Sequence, residues 1–192
     1  MKKFHLLIPT MLIGIAAMAQ TTWNIEKEIS YIGFGLSHFG VAQRLGHFRE
    51  FDAKMISTTD DFSGATVTFT AKTASVSTDN EQRDKHVRSD AFLNSAKYPE
   101  MKFVGVLIKE GGQYKLKGEL TIRAATKPVV FDVQYTGRAQ SDSLQFVKVG
   151  FVITGRINRL DYGILWDEKF EGGGRIVGEM VEINVIAEFN KE

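Results

Sequence analysis

Runs in which apolar and polar residues change places at every step leave a backbone little choice. Only an extended strand sends alternate side chains to opposite faces. Such runs fill most of this chain. Ile32, Phe34, Leu36 and His38 make one row, with Gly33, Gly35 and Ser37 on the other face. Ala65, Val67, Phe69 and Ala71 alternate with Thr66, Thr68, Thr70 and Lys72, an apolar face backed by a polar, β-favouring one. Phe103, Gly105 and Leu107 run to a Glu110-Gly111-Gly112 turn, and Tyr114, Leu116, Gly118, Leu120 and Ile122 return from it as the second arm of a hairpin. After Pro128 come Val129, Phe131, Val133 and Tyr135. Val147, Val149, Phe151, Ile153 and Ile157 follow, then Val181, Ile183, Val185, Ala187 and Phe189. Phe48 and Phe51 are three apart and share a face only across a bulge. The pattern predicts about eight strands, antiparallel because their connections are short.

Eight strands with one apolar face close into a barrel or stack as a sandwich. Several runs reach about ten residues, longer than is common in sandwiches, and closure removes exposed edges. The expectation is therefore an all-β, eight-stranded antiparallel barrel. Such a barrel has room either for its own side chains or for one small ligand. Gly35, Gly105, Gly118, Gly150 and Gly155 interrupt the strands, as corners and bulges or as backbone kept clear of a bound chain.

One stretch does not alternate. Between Thr73 and Phe103, Thr78 and Glu81 fit a capping box, and Asp84 and Arg88 are spaced as a helical ion pair. A short helical insertion at about residues 79–95 follows, with a second turn started by Ser89 or Asp90. It carries Arg83 and His86, two of the few groups suited to polar recognition.

The chain opens with Lys2 and Lys3, an apolar run from Phe4 to Ala16, and Ala17-Met18-Ala19 before Gln20. Residues 1–19 therefore read as a cleaved signal peptide and 20–192 as one domain, periplasmic or secreted. The apolar run is shorter than the roughly 20 residues of a membrane span, so no stable membrane insertion is expected. With no cysteine in the sequence, disulfides, thiolate metal sites, cysteine nucleophiles and a lipidated N-terminal cysteine are excluded. Cleavage takes two of the 24 basic side chains and none of the 23 acidic ones, leaving a slightly negative chain. That balance argues against a nucleic-acid partner and against an electrostatic grip on anionic lipid. Nothing in it speaks against a homodimer.

Catalytic signals are weak. His38, His47 and His86 have no close metal-ligand spacing, so a zinc site would need all three brought together from a distance. Ser37 and His38 are strand neighbours and point to opposite faces, so they form no dyad. Gly172-Gly173-Gly174 lacks the Lys-Ser/Thr of a phosphate loop and reads as a turn. His38, at the end of an inward row, is either a hydrogen-bonded core histidine or a polar contact at a cavity mouth. Arg83 and His86 either tether the helix or meet a ligand. Tyr162 and Trp166, on the stretch after Asn158-Arg159, either cover a barrel end or line an apolar entrance.

Several short motifs occur in one order along the chain: Ser37-His38; Gly46-His47-Phe48; Asn80 with Arg83-Asp84 and His86-Val87; Lys97-Tyr98-Pro99; Leu120-Thr121-Ile122 with Thr126-Lys127-Pro128-Val129; and Ile157-Asn158-Arg159 with Tyr162-Gly163. Together they resemble the YceI-like family, exported lipocalin-like proteins described as polyisoprenoid-binding. The resemblance implies a lipocalin-like barrel with a helical insertion over one side and an apolar tunnel for an isoprenoid-like chain. This chain departs from the pattern at Ala124 and Ala125, where a glycine is expected, and at Val87 and Leu93, where Leu and Phe are more usual.

The expectation is a carrier without catalysis or cofactor, whose partner is an apolar small molecule, a polyisoprenoid or quinone-like lipid. Expected site residues are Phe34, Leu36, His38, Phe48, Phe69, Arg83, His86, Phe92, Phe103, Leu120, Phe131, Val149, Phe151 and Trp166. The rival readings are a lipid-modifying enzyme using His38 or His86, and a filled barrel that binds a protein partner.

Overall fold

The computed structural model describes residues 20–192, and the proposed signal peptide lies outside them. The alternating runs form eleven strand segments: β1 (Thr21–Ile25), β2 (Tyr31–His38), β3 (Ala42–Phe48), β4 (Phe51–Ser57), β5 (Ala65–Lys72), β6 (Val76–Ser77), β7 (Glu100–Glu110), β8 (Gln113–Ile122), β9 (Ala125–Ser141), β10 (Phe146–Asn158) and β11 (Val177–Lys191). All pair antiparallel. β1 and β2 lie end to end along β11, and β3 and β4 lie end to end beside them. The segments therefore make eight staves in chain order, and pairing of β1 with β11 closes the ring. The architecture is the expected closed eight-stranded barrel with a single α-helix, α1 (Glu81–Arg88).

The interruptions fall where the pattern requires them. The break between β3 and β4 sits at Arg49-Glu50, which lets the rings of both Phe48 and Phe51 reach the core side. The Glu110–Gln113 hairpin turns through Gly111 and Gly112, both at positive φ (57° and 85°). In the next turn the positive φ, 55°, falls on Arg123 rather than on Ala124 or Ala125, so the missing glycine costs those two positions nothing.

Three inner-wall glycines have a different use from corners. Gly105 faces Gly118 across β7 and β8, and the ring of Phe103 lies over both. A Cβ on either would come within 2.5 and 2.7 Å of its Cζ. Phe131 covers Gly155, where a Cβ would meet Cδ1 at 2.4 Å. Each glycine lets a phenyl ring lie flat against the wall instead of projecting into the barrel. Gly150 does mark a bulge, while Gly35 lies beneath Leu45.

One end of the barrel is stoppered. The β4–β5 connection folds inward, placing Phe62, 2 % exposed, edge-on to Trp23 (5.3 Å between ring centres) and Phe151 (5.6 Å) and against Tyr135 (5.9 Å). The Tyr114 hydroxyl donates to the Asp61 carbonyl (2.6 Å) and holds that connection down.

The helical insertion lies toward the opposite end, with its internal bonds arranged differently from the expectation. Asn80, not Thr78, caps α1, its side chain accepting from the Arg83 amide (2.9 Å). Asp84 does not pair with Arg88. It is buried and accepts from both the amide (2.8 Å) and the hydroxyl (2.5 Å) of Thr78, while Arg88 pairs with Glu81 at 3.0 Å. Thr78 is therefore a tether that ties the helix to β6 and not the helix cap.

Candidate functional site

In a barrel filled by its own side chains, inward residues at mid-height are fully buried by one another. Here Phe34, Val67, Phe69, Ile153 and Ile183 stand on inward rows yet are only partly buried. They border a cavity of about 220 Å³ whose walls come from every stave of the barrel. Its surface is apolar almost throughout; Arg159, the one charged residue that borders it, contributes next to no polar surface and turns its guanidinium onto backbone carbonyls. At the stoppered end it stops at Met55, Leu107, Leu116 and Phe189. At the other it reaches Val87, Phe92 and Leu93 of the insertion, and Ile164 beyond β10.

Of the expected site residues, Phe34, Leu36, Phe48, Phe69, Phe92, Phe103, Leu120, Phe131 and Phe151 line this cavity. Val149 is on an inward row but 1 % exposed, buried in the core and outside the cavity lining. The remaining four are also outside it, toward the end that carries the insertion. His86 and Trp166 form with Phe92 a cluster of rings with centres 5.0 to 5.6 Å apart. The His38 ring packs edge-on to Phe39 at 4.4 Å. Its pKa is pushed down, first by partial burial and then by the positive charges of Arg44 and Arg83. Arg83 is pinned by Nε to the Thr78 hydroxyl (2.7 Å) and by NH2 to the Thr78 carbonyl (2.5 Å). The tethering role for Arg83 is thus visible. His47 stacks on Tyr31 instead, and among the described residues the three histidines form no cluster with each other or with acids.

Arg159 belongs to this lining and was not among the expected site residues. It follows β10 in a 3-10 turn (Arg159–Tyr162) whose start is capped by the Asn158 side chain, accepting from the Leu160 amide (3.0 Å). Only 3 % exposed, it donates through Nε to the carbonyl of Gly178 (2.9 Å), through NH1 to that of Ile164 (2.6 Å) and through NH2 to that of Val177 (3.3 Å). Burial, and secondarily Arg175, push its pKa down from the usual arginine value. It remains charged at any physiological pH. The Ile157-Asn158-Arg159 motif pointed at this position, but a turn residue has no periodicity to say which way its side chain runs.

The cavity can take up apolar matter, and among the described residues that line it there is no nucleophile–base pair. Comparison with known proteins agrees with the barrel fold. The model of the YceI-like domain matches residues 23–189. The UPF0312 protein SERP2314 of Staphylococcus epidermidis is 33 % identical over 170 residues, spanning 88 % of this chain and 98 % of its own. The UPF0312 protein SAS2572 of Staphylococcus aureus is 31 % identical over the same shares. Among solved structures, BcnA of Burkholderia cenocepacia superposes with a TM-score of 0.71 at 18 % identity, covering 85 % of this chain and 98 % of that one. The YCEI protein of Campylobacter jejuni gives 0.69 at 24 % identity, over 100 % and 99 %. A polyisoprenoid binding domain from Saccharophagus degradans gives 0.62 at 12 % identity, over 87 % and 97 %.

Proposed function

Because this chain belongs to the YceI-like domain family, we propose that it carries an apolar chain, of polyisoprenoid or quinone-like type, inside its barrel and catalyses no reaction on it. The observation that supports this most directly is the apolar cavity bordered by inward side chains that do not fill it. A binding domain among its structural neighbours, described for polyisoprenoid, supports the ligand class. We place the protein in the exported fraction, with residues 1–19 removed.

Size gives the reading a quantity. A dry cavity of about 150 Å³ lined by Leu, Ile and Phe accepts benzene. On that scale, 220 Å³ holds roughly ten carbon atoms, about two isoprene units. Ten buried methylene-sized groups release on the order of 8 kcal/mol before the cost of association, enough for binding with few hydrogen bonds. A longer isoprenoid needs the flattened rings to turn aside, or leaves its remainder outside the lumen.

The test is native mass spectrometry of protein from its own host, followed by solvent extraction and identification of what is released. A charged residue on the wall provides the control, since an unpaired charge in an apolar lumen is expensive to desolvate. Folded Phe131→Asp protein should fail to bind a fluorescent polyene that the wild type binds. Wild-type affinity in that variant would place the ligand outside the barrel.

A further inference from the structure

The backbone pairing around the barrel has a gap. β3 pairs with β2 along its whole length, but on its other side β6 reaches only His47 and Phe48. The Arg49 amide donates to the Ser75 carbonyl on that side (3.2 Å), and backbone groups alternate between the two sides of a strand. The amides and carbonyls of Gln43 and Leu45 therefore point the same way, where among the described residues they meet neither a strand nor a turn. The chain that could have covered them turns off. Asp79, at a φ of 59°, leads it away directly after β6, and Asn80 starts α1. Ala42, Gln43, Arg44 and Leu45 are all exposed. An open edge of this kind is a template for another strand.

The side chains along the edge narrow down what can fill it. Leu45 faces outward over Gly35 and is 64 % exposed, and Val41, in the turn just before the strand, is 86 % exposed. Arg44 lies opposite Leu36, on the other face, and makes no ion pair among the described residues. Arg83 is a second cation beside it. Both charges bear on His38, and Arg83 bonds to the hydroxyl and carbonyl of Thr78 rather than to a carboxylate. Glu182, opposite Gly35 on β11, is taken by Arg156 (2.9 Å) and the Gln43 side-chain amide (2.8 Å). A second copy adding its own β3 would bring Ala42, Arg44 or Gly46 to the Arg44 face, and no acid in any register. A lipid surface cannot match amides and carbonyls spaced as in a strand.

We propose that the open edge of β3 takes up an extended segment of another protein by antiparallel strand addition, with apolar residues on the Leu45 face alternating with acidic ones on the Arg44 face. Such a strand continues the line that β6 begins. It pairs with Gln43 and Leu45 through their free backbone groups, while Arg44 and Arg83 select its acids. It stands beside Leu36 and His38, at the end of the barrel that carries the insertion, so the protein it belongs to sits at the mouth. What the lumen holds has no bearing on this pairing.

A capped, labelled peptide Ser-Val-Glu-Val-Glu-Val-Ser tests it on the mature protein, with fluorescence anisotropy for affinity and NMR hydrogen exchange for single amides. Binding should slow exchange at Gln43 and Leu45 and leave Arg44, whose amide is already paired with β2, unchanged. The same peptide with Lys for both Glu should bind about tenfold less tightly at low salt. N-methylation of the valines, whose amides face β3, should abolish binding, and N-methylation of the glutamates should not. Arg44→Glu should reverse the preference between the two peptides. Leu45→Pro removes one edge donor without touching a bond to β2 and should lose binding; Arg44→Glu decides the matter if that variant does not fold. Equal binding of the Glu and Lys peptides, or no protection of the two amides by either, would overturn the proposal. Protection that grows with protein concentration in the absence of peptide would also overturn it, and would show a second copy on the edge. Binding to phosphatidylcholine vesicles without any binding of peptide would do the same in favour of a lipid surface. Carriage is read separately, by the polyene, and none of these outcomes alters it.

Discussion

Single atoms decide how wide the lumen is. Gly155→Ala sets a methyl group 2.4 Å from Phe131 Cδ1, and the ring has no other place to go but inward. We expect about 1–3 kcal/mol of destabilisation from the overpacking, read by denaturant melts. Polyene affinity should fall further than stability does, because the displaced ring occupies ligand space. Tyr162 makes a prediction of a different kind. Its hydroxyl is buried without a hydrogen-bond partner, and burial, with Asp161 adding to it, raises its pKa to about 12 from 10. A raised folded-state pKa means the fold favours the neutral phenol. That contribution is complete below pH 10 and disappears as the pH climbs from 10 to about 12. Tyr162→Phe should therefore melt no lower than wild type at pH 7 and should flatten the loss of stability between those two pH values. A steeper alkaline decline in the variant would contradict the burial of this hydroxyl.

At the level of elements, alternation was a reliable guide and end signals were not. Period two determines which side chains face inward, so Phe34, Phe69, Phe103, Phe131 and Phe151 could be placed on one lumen from residue order alone. It cannot show which inward residues meet a neighbour and which meet a void, because that depends on summed volumes around the ring. Val149 and Phe151 lie two apart on one row, yet only the second borders the cavity. The helix shows a competition that residue types do not resolve. Thr78 and Glu81 satisfy the capping-box spacing, but Asn80 caps more strongly and Asp84 claims Thr78 for a buried bond. That difference can be measured. Asn80→Ala should cost about 1 kcal/mol, as caps do. Asp84→Ala should cost more, about 1–3 kcal/mol, because it leaves the buried Thr78 amide and hydroxyl without their acceptor. In hydrogen exchange, the second variant should expose residues 78–88 well before the strands.

Across the whole molecule, the barrel has one stopper and one polar end. Phe62 closes the base from a connection rather than from a strand, so the plug can be removed without touching the ring of hydrogen bonds. Phe62→Ala should destabilise the protein by about 3–5 kcal/mol if the cavity stays unfilled. The variant that remains folded should bind longer chains than wild type, because the lumen then continues past Phe151. A blind tube also constrains time. Two chains cannot pass each other in a bore lined by single phenyl rings, and the newcomer cannot push from behind when the far end is shut. The resident chain must leave completely before the next one enters, so handover is governed by departure alone. Adding more competitor would then leave the rate of release unchanged, and a cargo would be given up on a schedule set by the barrel, however crowded its surroundings.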